Sequence, residues 1–285
     1  MMPQSKTMIA RTRLPRAAPA WLMAAAIVAA TLGAGVPAWA RMPPDEVARA
    51  FRQEVSPALV LPEDEQTRYG DLALQSLHAA GLVLLAPQYV LVVDRNVKVQ
   101  AAMLYWMQPD APPVYVGAAP VSTGRVGQFD HFETPTGVFT HGLNNPDFRA
   151  EGTKNANGIR GYGAKGMRVY DFGWQQARQG WTQNGVSTMR LQMHATDPTL
   201  LEPRLGTPQS KGCIRIPATL NQLIDRLGLL DADYELAADL VSTPWVLRRD
   251  RAPADGAGRY LIIVETTRDK RPAWSPSPRA VKGKP

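Results

Sequence analysis

The stretch Met193-His194-Ala195-Thr196, followed after a Pro- and Leu-containing loop by Ser210-Lys211-Gly212-Cys213-Ile214-Arg215, holds the only cysteine of the 285-residue chain. A thiolate is the strongest side-chain nucleophile near neutral pH, but a free thiol has a pKa of about 8.5 and needs a partner to ionise it. A histidine at hydrogen-bond distance supplies that partner, as base first and acid later. Such a pairing predicts a Cys213 pKa below the free value. Gly212 lets the backbone turn sharply before the nucleophile and leaves amide hydrogens to face a developing oxyanion. A lone cysteine running into Ile214-Arg215-Ile216 also fits a small buried hydrophobe. The pattern around the pair is longer than two residues, and that length decides between the readings.

A histidine, fifteen residues, then Ser-x-Gly-Cys, an aliphatic residue and Arg resembles the signature of the YkuD-type L,D-transpeptidases. Residues 195–209 are the fifteen, and Ser210, Gly212, Cys213, Ile214 and Arg215 fall in place. Lys211 stands where that family often has His, and Ala195 where it commonly has Gly or Ser. The family orients the imidazole with the backbone carbonyl after the histidine, and alanine keeps that carbonyl. The resemblance implies Cys213 as nucleophile, His194 as general base and acid, and the Gly212 and Cys213 amides as oxyanion donors. It places Ser210, Arg215 and Ala195 beside the substrate, with Ser210 and Arg215 shaping the loop and meeting a substrate carboxylate. No metal or organic cofactor is required.

Lys6, Arg11, Arg13 and Arg16 without an acid, an apolar run from Trp21 to Val36 and then Ala38-Trp39-Ala40 read as a secretory signal over residues 1–40, cleaved before Arg41. The apolar run falls short of the about 20 residues that span a bilayer, so no stable membrane insertion is expected after cleavage. The expected location is the periplasm or cell envelope. The signal carries four of the net +7 charges and the end from Thr266 a net five, which leaves residues 41–265 at about −2. No basic face is implied there, and nucleic-acid binding loses its support. A single cysteine in an exported protein makes no internal disulfide, which argues separately that Cys213 is kept for its reactivity.

Residues 41–87 read as a helical N-terminal appendage. Pro44-Asp45-Glu46 starts one helix with Val47, Phe51 and Val55 on a face, and Pro62-Glu63-Asp64-Glu65 starts another that Gly81 stops. His78 within it reads as structural. From Gln88 the period becomes that of strands: Tyr89 to Val93, a turn at Asp94-Arg95-Asn96, Val97 to Met107, and Val114 to Ala118. Thr134-Pro135-Thr136-Gly137 is a Pro-set turn, and in the resembling family it is a landmark ahead of the histidine. His131 and His141 flank it and read as loop or cleft-rim residues, not metal ligands. Residues 144–183, rich in Gly, Asn and aromatics, read as a flap over a cleft. Within them Lys154, Arg160, Lys165 and Arg168 either meet a substrate's carboxylates or are solvated. Leu220, Leu223, Ile224 and Leu227 mark a short helix closed by Gly228, its N-terminus a few residues beyond Cys213 and so placed to favour a thiolate. Trp245-Val246-Leu247 and Tyr260 to Val264 read as closing strands of a catalytic domain over residues 88–265, and residues 266–285 as a basic disordered tail.

The expected fold is mainly β: a YkuD-like β-sandwich with short helices and the helical lead-in. The resemblance implies an enzyme acting on peptidoglycan stem peptides, releasing D-alanine from a tetrapeptide and joining the stem to an amine. The same Cys–His pair with water as acceptor makes an L,D-carboxypeptidase or stem hydrolase. A non-catalytic envelope-binding protein is the rival from another class.

Overall fold

The computed structural model describes residues 41–242 and 244–276. The expected signal over residues 1–40 and the end at 277–285 lie outside the described residues. Among the described residues no helix is long and apolar enough to cross a membrane.

The strands are β1 (Gln88–Asp94), β2 (Ala101–Met107), β3 (Val114–Pro120), β4 (Gly137–Thr140), β5 (Phe148–Arg149), β6 (Arg168–Arg178), β7 (Val186–His194), β8 (Ile214–Arg215) and β9 (Tyr260–Val264). They form two sheets, ordered β3-β2-β1-β9-β4 and β5-β6-β7-β8. Each contains one parallel pair, β1 with β9 and β7 with β8. The sheets share one core: Tyr89, Leu91 and Val93 of β1 pack in the same cluster as Tyr170 and Phe172 of β6 and Leu191 and Met193 of β7.

The unbroken apolar run of β1 follows from burial on both faces, where no position is left for a polar residue. Its alternate residues Val90 and Val92 belong to a second cluster under helix α2 (Glu63–Ala79), whose Tyr69, Ala73 and Leu77 recur every fourth residue. Helix α1 (Pro44–Glu54) packs against β3 and helix α3 (Ala218–Leu227). Phe51 reaches the sheet where residue 117 is glycine, and a Cβ there would stand 2.3 Å from the ring. Pro217 precedes α3 and Gly228, at φ +60°, ends it in the left-handed conformation.

Three expectations are corrected, and one helix was missed. Residues 144–183 are not one flap: they contain β5 and the whole of the 11-residue strand β6. Tyr170 and Phe172 of β6 are core residues, and Gly173, at φ +78° beside a register shift, hides the alternation. Residues 245–247 form a turn rather than a strand, and the Val246 carbonyl accepts from Arg149. Helix α4 (Ala232–Leu240) was unexpected because its apolar residues make no stripe, with Leu236 and Leu240 facing out. The basic end is bound down as far as Pro276. Arg268 makes a two-pronged ion pair with Glu65 at 2.6 and 2.5 Å, and the Ser275 hydroxyl donates to the Lys98 or Val99 carbonyl. Charge composition signals disorder only where the charges lack partners, and here α2 supplies one.

Candidate active site

Strands β7 and β8 run parallel with His194 in register with Arg215 and Met193 with Ile214. Alternation then puts Met193 and Ile214 into the core, and His194, Gln192, Cys213 and Arg215 together on the opposite face. Cys213, the residue just ahead of β8, and His194, the last residue of β7, nineteen positions apart in sequence, thus lie toward one sheet face.

His194 is 5% exposed, and its Nδ1 lies 2.5 Å from the Ala195 carbonyl oxygen. A carbonyl only accepts, so Nδ1 carries the proton and Nε2 is left as the base. Burial, seconded by the Arg215 charge, pushes the imidazole pKa down to about 4 despite that bond. Burial likewise pushes the Cys213 thiol up, against the helping Gln192 amide and Arg215. The lowered thiol pKa expected from the pairing is therefore corrected: the resting state is a neutral thiol beside a neutral imidazole. The N-terminus of α3 does not reverse this, because its Ala218 amide already donates to the Glu202 carboxylate at 3.2 Å. The thiol's hydrogen-bond acceptor is the Arg190 carbonyl, 3.9 Å away.

The loop before Cys213 is tied from inside. Gly212 has φ +130°, a conformation that strains any side chain, and a Cβ on it would stand 2.7 Å from the Met189 sulfur. Its N–H donates to Ser210 Oγ at 3.1 Å, and the Ser210 hydroxyl donates to the Cys213 carbonyl at 2.5 Å. The Gly212 amide is thus engaged rather than turned to an oxyanion, while the Cys213 amide has no acceptor among the described residues. Thr134, from the Thr-Pro-Thr-Gly turn, donates to the Gly212 carbonyl at 2.7 Å. That turn is a brace for the loop ahead of Cys213.

Of the three residues placed beside the substrate, two do other work. Ser210 is 1% exposed with its hydroxyl committed to the loop, and Ala195 acts through its carbonyl with its side chain buried. Arg215 is half-buried, and its Nε has no acceptor among the described residues. Lys211 points outward to Asp130 at 2.6 Å.

Reading from sequence missed the polar row beside the pair. Tyr162, on the β5–β6 loop, stands edge-on to the His194 ring, with centroids 4.7 Å apart, and its hydroxyl donates to Gln192 Oε1 at 3.1 Å. Gln192 Nε2 donates to Asp171 at 2.8 Å, and Arg190 Nε to the same oxygen at 2.7 Å. The period-2 spacing of Arg190, Gln192 and His194 on β7 was the available signal. Arg160 supports this loop through the Gly152 carbonyl and Asp197, and Arg168 is buried elsewhere. His131 is half-buried, and His141, in the loop directly after β4, is fully buried, so of its two readings the loop one holds and the cleft-rim one does not.

A buried imidazole with one free nitrogen, a thiol just ahead of the neighbouring strand and an unpaired amide at the thiol's own residue can carry acyl transfer. No curated protein matches the chain. A family model described as the L,D-transpeptidase catalytic domain, YkuD, matches residues 88–245, more than half of the chain, and the protein belongs to that family.

Proposed function

We propose that the protein is exported and that Cys213 and His194 catalyse L,D-transpeptidation on peptidoglycan tetrapeptide stems. The observation carrying this reading is the parallel β7–β8 pairing, which ends in His194 on one strand and starts directly after Cys213 on the other, with the imidazole tautomer fixed by the Ala195 carbonyl. Family membership supplies the reaction class. As Sγ attacks the carbonyl carbon of the stem's third residue, His194 Nε2 takes the thiol proton, so charge develops only in the transition state. The Cys213 amide faces the resulting oxyanion, and the Gly212 amide can join it only by leaving Ser210 Oγ. His194 returns the proton to the departing D-alanine nitrogen, and a thioester remains on Cys213. An amine from an acceptor stem then attacks the thioester while His194 removes its proton.

Incubation of the purified protein with tetrapeptide stems tests this. A thioester adduct on Cys213, free D-alanine and a stem dimer are the expected products. A free tripeptide without dimer assigns the hydrolase instead, and absence of both adduct and D-alanine ends the acyl-transfer reading.

Export rests on the basic, apolar and Ala-Trp-Ala succession within residues 1–40. The expected mature N-terminus is Arg41, read by intact mass on protein recovered from the envelope. Envelope protein that retains residues 1–40 overturns cleavage.

A further inference from the structure

Helix α4 and the turn after it end in an apolar tip that faces solvent. Tyr234 and Ala238, one helical turn apart, hold the inner side of α4 against Val246 and Leu247. Leu236 and Leu240, also one turn apart, are left outside, and Leu240, Val241 and Trp245 are 74%, 86% and 74% exposed. The tip is tied at its base, where the Val246 carbonyl accepts from Arg149 of β5. Scattered apolar residues on a surface are ordinary, but four within ten positions mark a patch that a partner covers. Arginines stand around it. Arg248 and Arg249 follow Trp245, and Arg41 reaches Asp239 of α4 at 3.9 Å. The other acids nearby are paired too: Asp233 with Arg259 at 3.1 Å, Glu235 with Arg251 at 3.0 Å and Asp250 with Arg248 at 2.6 Å. Arg249 is exposed and has no carboxylate partner among the described residues.

We propose that this tip rests reversibly in the headgroup layer of a bilayer that bears anionic phospholipids. Leu240, Val241 and Trp245 enter the acyl boundary, and Arg249, with Arg248 and Arg41 beside it, meets the phosphates. Two observations favour a lipid surface over a protein. Aliphatic side chains and an indole at a tip, with arginines behind them, match the layering of a bilayer edge, where cations stay at phosphate depth. The path of the chain is the second. The Met42 N–H donates to the Pro253 carbonyl at 3.3 Å and the Asp255 N–H to the Met42 carbonyl at 3.0 Å, so residues 1–40 join the domain at this same rim. On the export reading the signal enters the membrane while attached there, and cleavage before Arg41 leaves a new ammonium beside the tip. Only the path of the chain depends on export. Because Arg149 links the tip to the sheet that carries His194, docking there would fix how the site is turned to the bilayer.

The test uses protein that begins at Arg41, the form expected after cleavage, which keeps every described element of the fold. It is mixed with vesicles of phosphatidylglycerol and phosphatidylcholine, or of phosphatidylcholine alone, and cosedimentation gives the partition constant. Wild type should bind the phosphatidylglycerol vesicles more tightly. Leu240→Asp with Trp245→Ser should lower that binding about 10- to 100-fold, the loss expected when large apolar side chains no longer leave water. Arg249→Gln should lower it about 5-fold. Val60→Asp, at an apolar position 87% exposed in the α1–α2 connection, should bind as wild type does. All these positions are exposed, and equal melting temperatures report an intact fold. Three results each overturn the proposal: no binding to either vesicle, undiminished binding after Leu240→Asp with Trp245→Ser, or equal binding to both kinds of vesicle. Sedimentation of the protein alone as a dimer that the same double substitution dissolves gives the tip to a second copy and overturns it as well. Residues 1–40 are absent from the tested chain, so failure here is separate from the fate of the signal, which the mass of the mature N-terminus reads.

Discussion

Replacing His194 with alanine should slow acylation of Cys213 by about 10²–10⁴-fold, the usual contribution of a positioned general base. The structure gives the reason a base is needed. Burial holds the thiol protonated and the imidazole neutral, so no preformed ion pair waits in the site. The proton must leave Sγ during attack, and the neighbouring Asp171 is already committed to Arg190, Gln192 and the Gly173 amide. A carbapenem, to which the family is typically susceptible, gives an adduct that mass spectrometry follows over time. Cys213→Ala should give no adduct, and His194→Ala a slow one. His194→Ala at the wild-type rate would show that another group takes the proton.

The same burial sets the pH dependence. Only neutral His194 accepts a proton, so the acid limb of the acylation rate should fall near pH 4 instead of 6.5. Stability moves over the same interval. Between pH 6.5 and about 4 the unfolded chain binds a proton at His194 that the native chain refuses, so stability is lost as pH falls through that window. A shift from 6.5 to about 4 corresponds to about 3 kcal/mol at its full extent. His141 has the opposite sign: Asp147 outweighs burial and raises its pKa, so its contribution is whole below 6.5 and is lost as pH rises through the raised value. An acid limb at 6.5 would mean that His194 is more hydrated than its 5% exposure implies.

How much was legible in the sequence follows from the range of each interaction. Local signals placed β1, β9 and α3, because a run buried on both faces and a stripe closed by Pro217 and Gly228 are written in neighbouring residues. The Cys–His pair was legible only as a pattern, since the parallel β7–β8 pairing that unites it spans a loop with no periodicity of its own. The sign of the thiol's pKa shift was not legible at all. It depends on how deeply the two groups are buried, and a motif does not record depth. Asp171 and Gln192 escaped for a related reason. They look like ordinary polar positions until the β6–β7 register sets them opposite each other. Arg168 was the sharpest reversal, because an arginine in a Gly-rich stretch reads as a cation that meets a substrate's carboxylate or solvent, yet its side chain is fully enclosed.

That enclosure makes Arg168→Met the substitution with the largest expected cost to stability. Arg168 donates through Nε to Asp147 at 2.7 Å and through Nη1 to Asp231 at 2.7 Å, with Asp225 at 3.4 Å. Tyr170 and Tyr234 each lie 4.9 Å from its guanidinium carbon. His141 donates from both ring nitrogens, to the Leu230 carbonyl at 2.7 Å and to Asp147 at 2.9 Å, so it is an imidazolium. Arg149 closes the group with a fork onto Asp225 at 2.8 and 3.0 Å. Three cations thus meet three carboxylates where β4, β5, β6, α3 and α4 converge behind the sheet that carries His194. Removing Arg168 leaves Asp147 and Asp231 buried with a cation deficit, which typically costs 3–5 kcal/mol. For a chain of this size that should lower the melting temperature by about 6–20 °C. Adding Asp231→Asn to Arg168→Met removes the stranded charge and should recover part of the loss, a coupling that a double-mutant cycle measures. If Arg168→Met costs less than about 1 kcal/mol, or the second substitution deepens the loss, the cluster is not held by charge, and packing of Tyr170 and Tyr234 must carry that corner of the fold.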